Sequence, residues 1–368
     1  MNIGFFTETY YPTPDGVSHY LRDIKKELEA MGHEVFVFTL AGDTTEKNVF
    51  KPYTIPLFLY MQYRVPVSVF PFNLYRKMLK TKLDVVNIHS SFFMGTLGYR
   101  IARAKNIPII ATFHTDFSKM KESINMPMKD TFFWISWRYN LFLYRRCDAV
   151  LCPSSSTADA MRKNGMHRVE ELTLFVDTEK FSNGKPGNGR KVVQYIGRLT
   201  KDKGIEKIVK LADHMRNDSE VRFSISGIGP EEHAIKKMVG SLGLSETVSL
   251  NGYVSEDRKL NTLKESSIFI HPSESDTFGL AVLEALSTGK PALVSENFPL
   301  LSYCDGECGM VPVDFSNIEE TAATLKAVLL NEGRYRELSE KATAFARTKF
   351  SPKKHAEKLL EVYQSFMK

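Results

Sequence analysis

The chain has 368 residues, of which 43% are hydrophobic, 25% charged and 11% aromatic. That composition excludes a disordered, collagen-like or disulfide-scaffold protein, and the length fits two domains. The balance of 49 Lys+Arg against 43 Asp+Glu, net +6, is too small to point to nucleic acid. It suits a phosphorylated ligand and an anionic membrane surface equally well.

In chain order, Asn2–Phe6 reads as a strand, and Val17, Leu21, Ile24, Leu28 and Met31 then recur at helical spacing up to Gly32. Glu34–Thr39, Asp84–Ile88, Pro108–Thr112, Ala149–Cys152 and Leu172–Phe175 follow as strands, with helices over Met94–Ala104, Thr131–Arg146 and Ser155–Lys163. Ser182–Gly189 holds three glycines and no large apolar residue, which reads as a linker spanning 182–190. The alternation then restarts with strands at Val192–Ile196, Val221–Ser226, Val248–Leu250, Ile268–His271 and Ala292–Ser295. Helices start near Gly204, Glu231, Asp257, Gly279, Glu319 and Tyr335, and Lys353–Phe366 closes the chain. Short apolar strands alternating with amphipathic helices specify an α/β fold of two doubly wound Rossmann-like domains, 1–181 and 191–350. Such domains take ligands at the carboxyl ends of their strands, here across a cleft between them.

No apolar run is long enough to span a bilayer, and the N-terminus lacks a basic start with a long apolar stretch, so no secretory signal is expected. Four cysteines point to a reduced compartment, hence a cytoplasmic protein. Cys147, Cys152, Cys304 and Cys308 read as small buried hydrophobes.

The chemistry concentrates at strand ends. In His271–Ala285 a strand runs through a polar turn into a helix. The first-turn amides of Phe278, Gly279 and Leu280 are the donors a helix leaves unpaired, a ready anion site. Asp276 sits at the helix mouth and Glu284 two turns along, so both can hold hydroxyls of one extended ligand. An N-cap and a solvated helix residue fit the same spacing. Arg198 and Lys203 leave the Val192–Ile196 strand together and can clamp a diphosphate. Gly227-Ile228-Gly229-Pro230 and Asp15-Gly16-Val17 also follow strands. The first of these lacks the third glycine of a dinucleotide fingerprint.

Together these motifs resemble the family-4 retaining glycosyltransferases of the GT-B fold, over nearly the whole chain and in family order. The resemblance implies that Arg198 and Lys203 bind the diphosphate of a UDP- or GDP-linked sugar and that Glu284 holds its ribose. Asp276 and the Phe278–Leu280 amides would take the transferred sugar and the distal phosphate. Val254 would pair the base through its backbone, Gly16 and Val17 would close over the phosphates, and His114 would face the sugar. The helix at 351–368 would cross back to the first domain. Asp276 stands where the family usually has Glu, a side chain one methylene longer, so sugar preference does not carry over. Leu174-Phe175 replaces the common Asn-Gly before Val-Asp, at the hinge.

The implied mechanism is single-face transfer with retention, in which the leaving phosphate assists deprotonation of the acceptor hydroxyl. The protein then supplies positioning and charge stabilisation, with no cofactor or metal required. For the acceptor, Thr131–Arg146 interleaves Trp134 and Trp137 with Arg138, Arg145 and Arg146, near Lys119, Lys121 and Lys129. Phe50–Pro66 adds a second greasy segment. A basic aromatic helix of this kind docks at an anionic bilayer. Asp276-Thr277-Phe278-Gly279 also resembles a branch of mannosyl- and glucosyltransferases acting on lipids, so the favoured reading is transfer of glucose or mannose to a membrane glycerolipid, with the enzyme peripheral on the inner face of the cell membrane. Core packing of the same helix, with a soluble or polyprenyl-linked saccharide acceptor, is the alternative. An epimerase or phosphorylase sharing the architecture, and a non-catalytic nucleotide-sugar-binding or scaffold protein, are the readings from other classes.

Overall fold

The structure is a computed structural model that describes residues 1–13, 16–57, 60–68, 71–114, 129–181, 191–274, 276 and 278–367. The chain divides into two units, Met1–Thr173 with Pro352–Lys368, and Leu174–Ser351.

The first unit carries a seven-stranded parallel sheet of β1 (Asn2–Thr9), β2 (Glu34–Ala41), β3 (Val49–Phe50), β6 (Val85–Ile88), β7 (Ile109–Thr112), β8 (Ala149–Cys152) and β9 (Val169–Glu171). Their order is β3-β2-β1-β6-β7-β8-β9. β4 (Thr54–Leu57) and β5 (Tyr60–Pro66) form a separate antiparallel pair. Every residue of β6, β7 and β8 is buried, as a parallel sheet covered on both faces requires. Phe6, Phe38, Ile88, Leu97 and Ile101 meet in its core. The order reverses between β1 and β6, the switch point at which such sheets bind ligands.

The last helix, Pro352–Phe366, completes this unit. His355 Nδ1–H donates to the Thr173 carbonyl at 2.7 Å, and the Tyr20 hydroxyl donates to His355 Nε2 at 2.8 Å. Asn87 Nδ2 donates to the Tyr363 hydroxyl at 2.6 Å. The end of the chain therefore belongs to the first unit.

The second unit has a six-stranded parallel sheet of β10 (Lys191–Ile196), β11 (Val221–Ser226), β12 (Val248–Leu250), β13 (Ile268–His271), β14 (Ala292–Ser295) and β15 (Met310–Val313). Its order is β12-β11-β10-β13-β14-β15, with the switch point between β10 and β13. The helices Ile205–His214 and Ile318–Leu330 bury Ile208, Val209, Leu211 and Leu325 in one core. Leu280–Ser287 packs against the other face with Val294, Phe298 and Phe345.

Three expectations change. The strand expected at Leu172–Phe175 lies earlier, at Val169–Glu171, where only Val169 is buried because β9 is an edge strand. The unit boundary falls at Thr173/Leu174 rather than after Phe181. Val176 and Phe181 lie in the second core, Val176 N–H donates to the Phe350 carbonyl, and Ser287 donates to the Phe181 carbonyl. The linker at 182–190 lies outside the described residues. Third, Cys304 and Cys308 form a disulfide instead of two buried thiols. A turn at Gly306, with φ of +94°, brings their Cα atoms to 5.7 Å, within disulfide reach. Cys147 and Cys152 remain free thiols.

Candidate functional site

In the second unit the sequence-predicted residues gather on both sides of the switch point. The loop after β10 packs onto the loop after β11, with the Gly197 amide donating to Ser226 O and the Leu199 amide to Ile228 O, both at 3.0 Å. A Cβ on Gly227 would lie 1.8 Å from the Gly197 carbonyl oxygen, so only glycine permits this approach. The Gly227 amide in turn donates to Gly252 O at 2.7 Å, which fixes the segment leading to the half-buried Val254.

Lys203 ends a short turn of helix, Lys201–Lys203, and reaches across to the loop after β13. Its Nζ donates to Asp276 Oδ2 at 2.7 Å, and His271 Nε2 meets the same oxygen at 3.0 Å. Asp276 Oδ1 accepts the Phe278 amide at 3.2 Å. Burial works against the Asp276 charge, but the His271 hydrogen bond and the Lys203 ammonium outweigh it and hold the carboxyl well below the usual range. The acid is thus an anion at neutral pH. Of the three amides expected at the helix mouth, that of Phe278 is taken by Asp276. Gly279, at φ of +99°, turns the chain into the Leu280–Ser287 helix, and a Cβ there would lie 2.2 Å from the Phe298 ring. Arg198 is exposed.

Glu284 is buried rather than solvated. Lys259, on the helix Glu256–Glu265, binds Glu284 Oε1 at 2.6 Å and Glu256 at 2.9 Å. Burial pushes the Glu284 carboxyl up, with Lys259 pulling against it.

In the first unit, Gly16 opens the helix Gly16–Ala30 beside open space, with Val17 half-buried next to it; Asp15 lies outside the described residues. His114 follows β7, and its Nε2 lies 2.9 Å from Nδ1 of His89, which follows β6. Burial pushes the His114 imidazole down to about 3, with His355 adding to it, so the ring is neutral at pH 7.

The helix Lys129–Tyr144 divides its aromatic residues between two faces. Phe133, Leu141 and Tyr144 are buried, and Trp137 packs edge-on against Phe113. Trp134 is 62% exposed, Ile135 55% and Phe142 51%. Arg138 lies over the Trp134 ring and Arg146 over Phe142, while Arg145 donates to Asn164 O. Trp137 is therefore partly buried against the core, and Trp134 is a surface residue. Phe58, Leu59, Lys119 and Lys121, and the side chains of Leu57, Tyr60–Tyr63 and Lys129, lie outside the described residues.

Two family models meet end to end on this chain. Glycosyltransferase Family 4 matches residues 14–180, and Glycosyl transferases group 1 matches 176–345. The chain belongs to the family-4 glycosyltransferases. It is a hexosyltransferase. Among relatives of this transferase, the alpha-monoglucosyldiacylglycerol synthase of Streptococcus pneumoniae is 28% identical over 96% of this chain and 85% of its own length. The GDP-mannose-dependent alpha-mannosyltransferase of Corynebacterium glutamicum is 23% identical over 92% of this chain and 83% of its own. Anabaena HepE, solved in complex with UDP-glucose, shares the GT-B fold with a TM-score of 0.74 at 16% identity, over 99% of this chain and 100% of that one.

Sequence reasoning about this glycosyltransferase missed three partners. His271 was seen only as the start of a motif, and Lys259 and His89 were not singled out. Lys259 sits in a polar helix, where one lysine looks like any other until the fold lays it against Glu284. His89 had a weak signal, its place directly after a strand at the switch point.

Proposed function

We propose that the enzyme moves glucose or mannose, with retention, from a UDP- or GDP-linked sugar to a hydroxyl of a membrane glycerolipid. The observation that carries the donor half is Lys203 and Asp276 meeting at 2.7 Å where the loops after β10 and β13 flank a switch point. In this reading Arg198 and Lys203 take the diphosphate, Glu284 the ribose and the Val254 backbone the base. Asp276 and the Gly279 and Leu280 amides take the transferred sugar and distal phosphate, Gly16 and Val17 close over the phosphates, and His114 faces the sugar. The chemistry asked of the protein is stabilisation of charge developing on the leaving diphosphate, which suits cations and amides. No metal or other cofactor is required.

The acceptor assignment rests on the relatives and on one helix face. The Streptococcus pneumoniae relative is by its name a synthase of a glucosylated diacylglycerol. Trp134, Ile135 and Phe142 with Arg138 and Arg146 offer apolar and cationic groups together on a surface, a combination that binds anionic lipid headgroups and seats rings at the acyl boundary. Among the described residues no helix is long and apolar enough to cross a membrane. Attachment to the inner membrane face would then be peripheral.

The test is transfer of labelled hexose from UDP-glucose or GDP-mannose to diacylglycerol or monohexosyl diacylglycerol in anionic vesicles, with and without EDTA. The proposal expects an EDTA-insensitive α-linked glycolipid. Transfer only to soluble saccharides would overturn the acceptor, and EDTA sensitivity would overturn the metal-free reading.

A further inference from the structure

The His114–His89 contact fixes more than a position. The rings lie with planes 29° apart and centroids 5.2 Å apart, while Nδ1 of His89 is 2.9 Å from Nε2 of His114. That is the geometry of an end-to-end hydrogen bond rather than of face-to-face stacking, so one of these two nitrogens carries a proton and the other a lone pair. His89 is 5% exposed, and its other nitrogen, Nε2, has no hydrogen-bond partner among the described residues. Burial pushes the His89 imidazole well below its ordinary range, so the ring carries one proton only.

Two arrangements remain. If His114 Nε2–H donated, the single proton of His89 would sit on Nε2, an N–H buried without an acceptor, which folded proteins rarely contain. If His89 Nδ1–H donates, Nε2 is a bare lone pair in an apolar wall that includes Phe5, edge-on at 4.8 Å. The second arrangement leaves no buried donor orphaned on His89, and the half-buried His114 is the ring that keeps a free N–H. It then places the one proton of neutral His114 on Nδ1, which has no partner among the described residues. Hydrogen bonds hold the backbone behind the pair. The His89 amide donates to Phe6 O at 2.8 Å, and Glu8 accepts from Ser90 Oγ and the Met94 amide, clamping the turn after His89.

We propose that His89 is a positioning residue that sets the tautomer of His114, so that His114 offers an Nδ1–H donor to an oxygen of the bound sugar and not a basic nitrogen. The role toward sugar rests on the functional reading above; the tautomer does not. His114 then binds a hydroxyl or ring oxygen and takes no proton from the acceptor.

Histidine-labelled full-length protein, examined by long-range ¹H–¹⁵N correlation near pH 7.5, reads the tautomer without any substrate. The expected spectrum shows His114 protonated at Nδ1 and bare at Nε2, and His89 the same. A proton on His114 Nε2 overturns the proposal. In transfer assays, His89→Leu should lower kcat about tenfold with donor KM little changed, the effect of one mispositioned hydrogen bond. His89→Asn, whose amide nitrogen replaces Nδ1, should restore kcat to within about threefold. Equal loss in both variants overturns the tautomer-setting role. Unchanged transfer in His114→Ala, with the expected spectrum intact, overturns instead the placement of His114 at the sugar.

Discussion

Removing Lys259 by Lys259→Met should destabilise the second unit in a pH-dependent way. Glu284 has 8% of its side chain exposed and one cation at 2.6 Å, with Glu256 and Lys180 the other charges that act on it. Without Lys259 the carboxylate is left buried and unpaired, which for fully buried pairs costs about 3–5 kcal/mol. Protonation caps that cost. At about 1.36 kcal/mol per pH unit, a carboxyl of ordinary value 4.5 is neutralised at pH 7 for about 3.4 kcal/mol, and at pH 5.5 for about 1.4. Lys259 is partly exposed, so water entering its place lowers both figures. The expected losses are about 2–3 kcal/mol at pH 7 and about 1 kcal/mol at pH 5.5. The sign follows from the raised native value. A carboxyl whose pKa is higher folded than unfolded favours the native state at low pH and disfavours it as pH rises through the folded value. Calorimetry at the two pH values should show the transition of the second unit shifted by about 5–10 °C at pH 7 and by less than half of that at pH 5.5. Adding Glu284→Gln should recover most of the loss. An equal shift at both pH values, or none, would refute the buried-pair reasoning.

Gly227→Ala should cost about 3–5 kcal/mol, because its Cβ would overlap the Gly197 carbonyl and no side chain can yield; a melt within 2 °C of wild type, a shift of under about 1 kcal/mol, would contradict the close approach. Lys203→Ala should reduce transfer about 100-fold or more, since the ammonium is assigned to the diphosphate, and should lower the melting temperature less than Lys259→Met does, because His271 and the Phe278 amide still hold Asp276. Near wild-type turnover would sink that assignment. Trp134→Ser should weaken binding to anionic vesicles and leave stability unchanged, whereas Trp137→Ser should lower stability. Equal vesicle binding by wild type and Trp134→Ser, measured by sedimentation, would remove the helix face from the membrane account.

Both sheets were legible where strands are short, apolar and buried on two faces. Val221–Ser226, Ile268–His271 and Ala292–Ser295 end where the sequence places them, as does one edge strand, Val248–Leu250. Edges were harder. β15 carries Pro312, tolerated because no further strand needs its N–H, and β9 carries two glutamates, tolerated because one flank faces water. The helix Phe72–Lys80 was missed although Leu74 and Met78, four apart, form its buried stripe. At the site, residues on loops after strands were readable because switch-point chemistry is local in sequence. Their partners were not. Lys259 comes from a helix whose sequence carries no mark of the contact, and the His271 and His89 roles depend on which ring nitrogen the fold leaves unpaired. The Cys304–Cys308 link turns on a backbone reversal at Gly306 that spacing alone does not reveal.

The central claim is a nucleotide-sugar site in the second unit. Thermal denaturation of wild type and Lys203→Ala with UDP-glucose, UDP-galactose, UDP-GlcNAc and GDP-mannose, with UDP and GDP as controls, tests it most directly. A donor at about 100 times its dissociation constant should add about 2.7 kcal/mol to wild type. The account predicts a shift with the nucleotides of one base, largely lost in Lys203→Ala; no shift with any of the six ligands would contradict it.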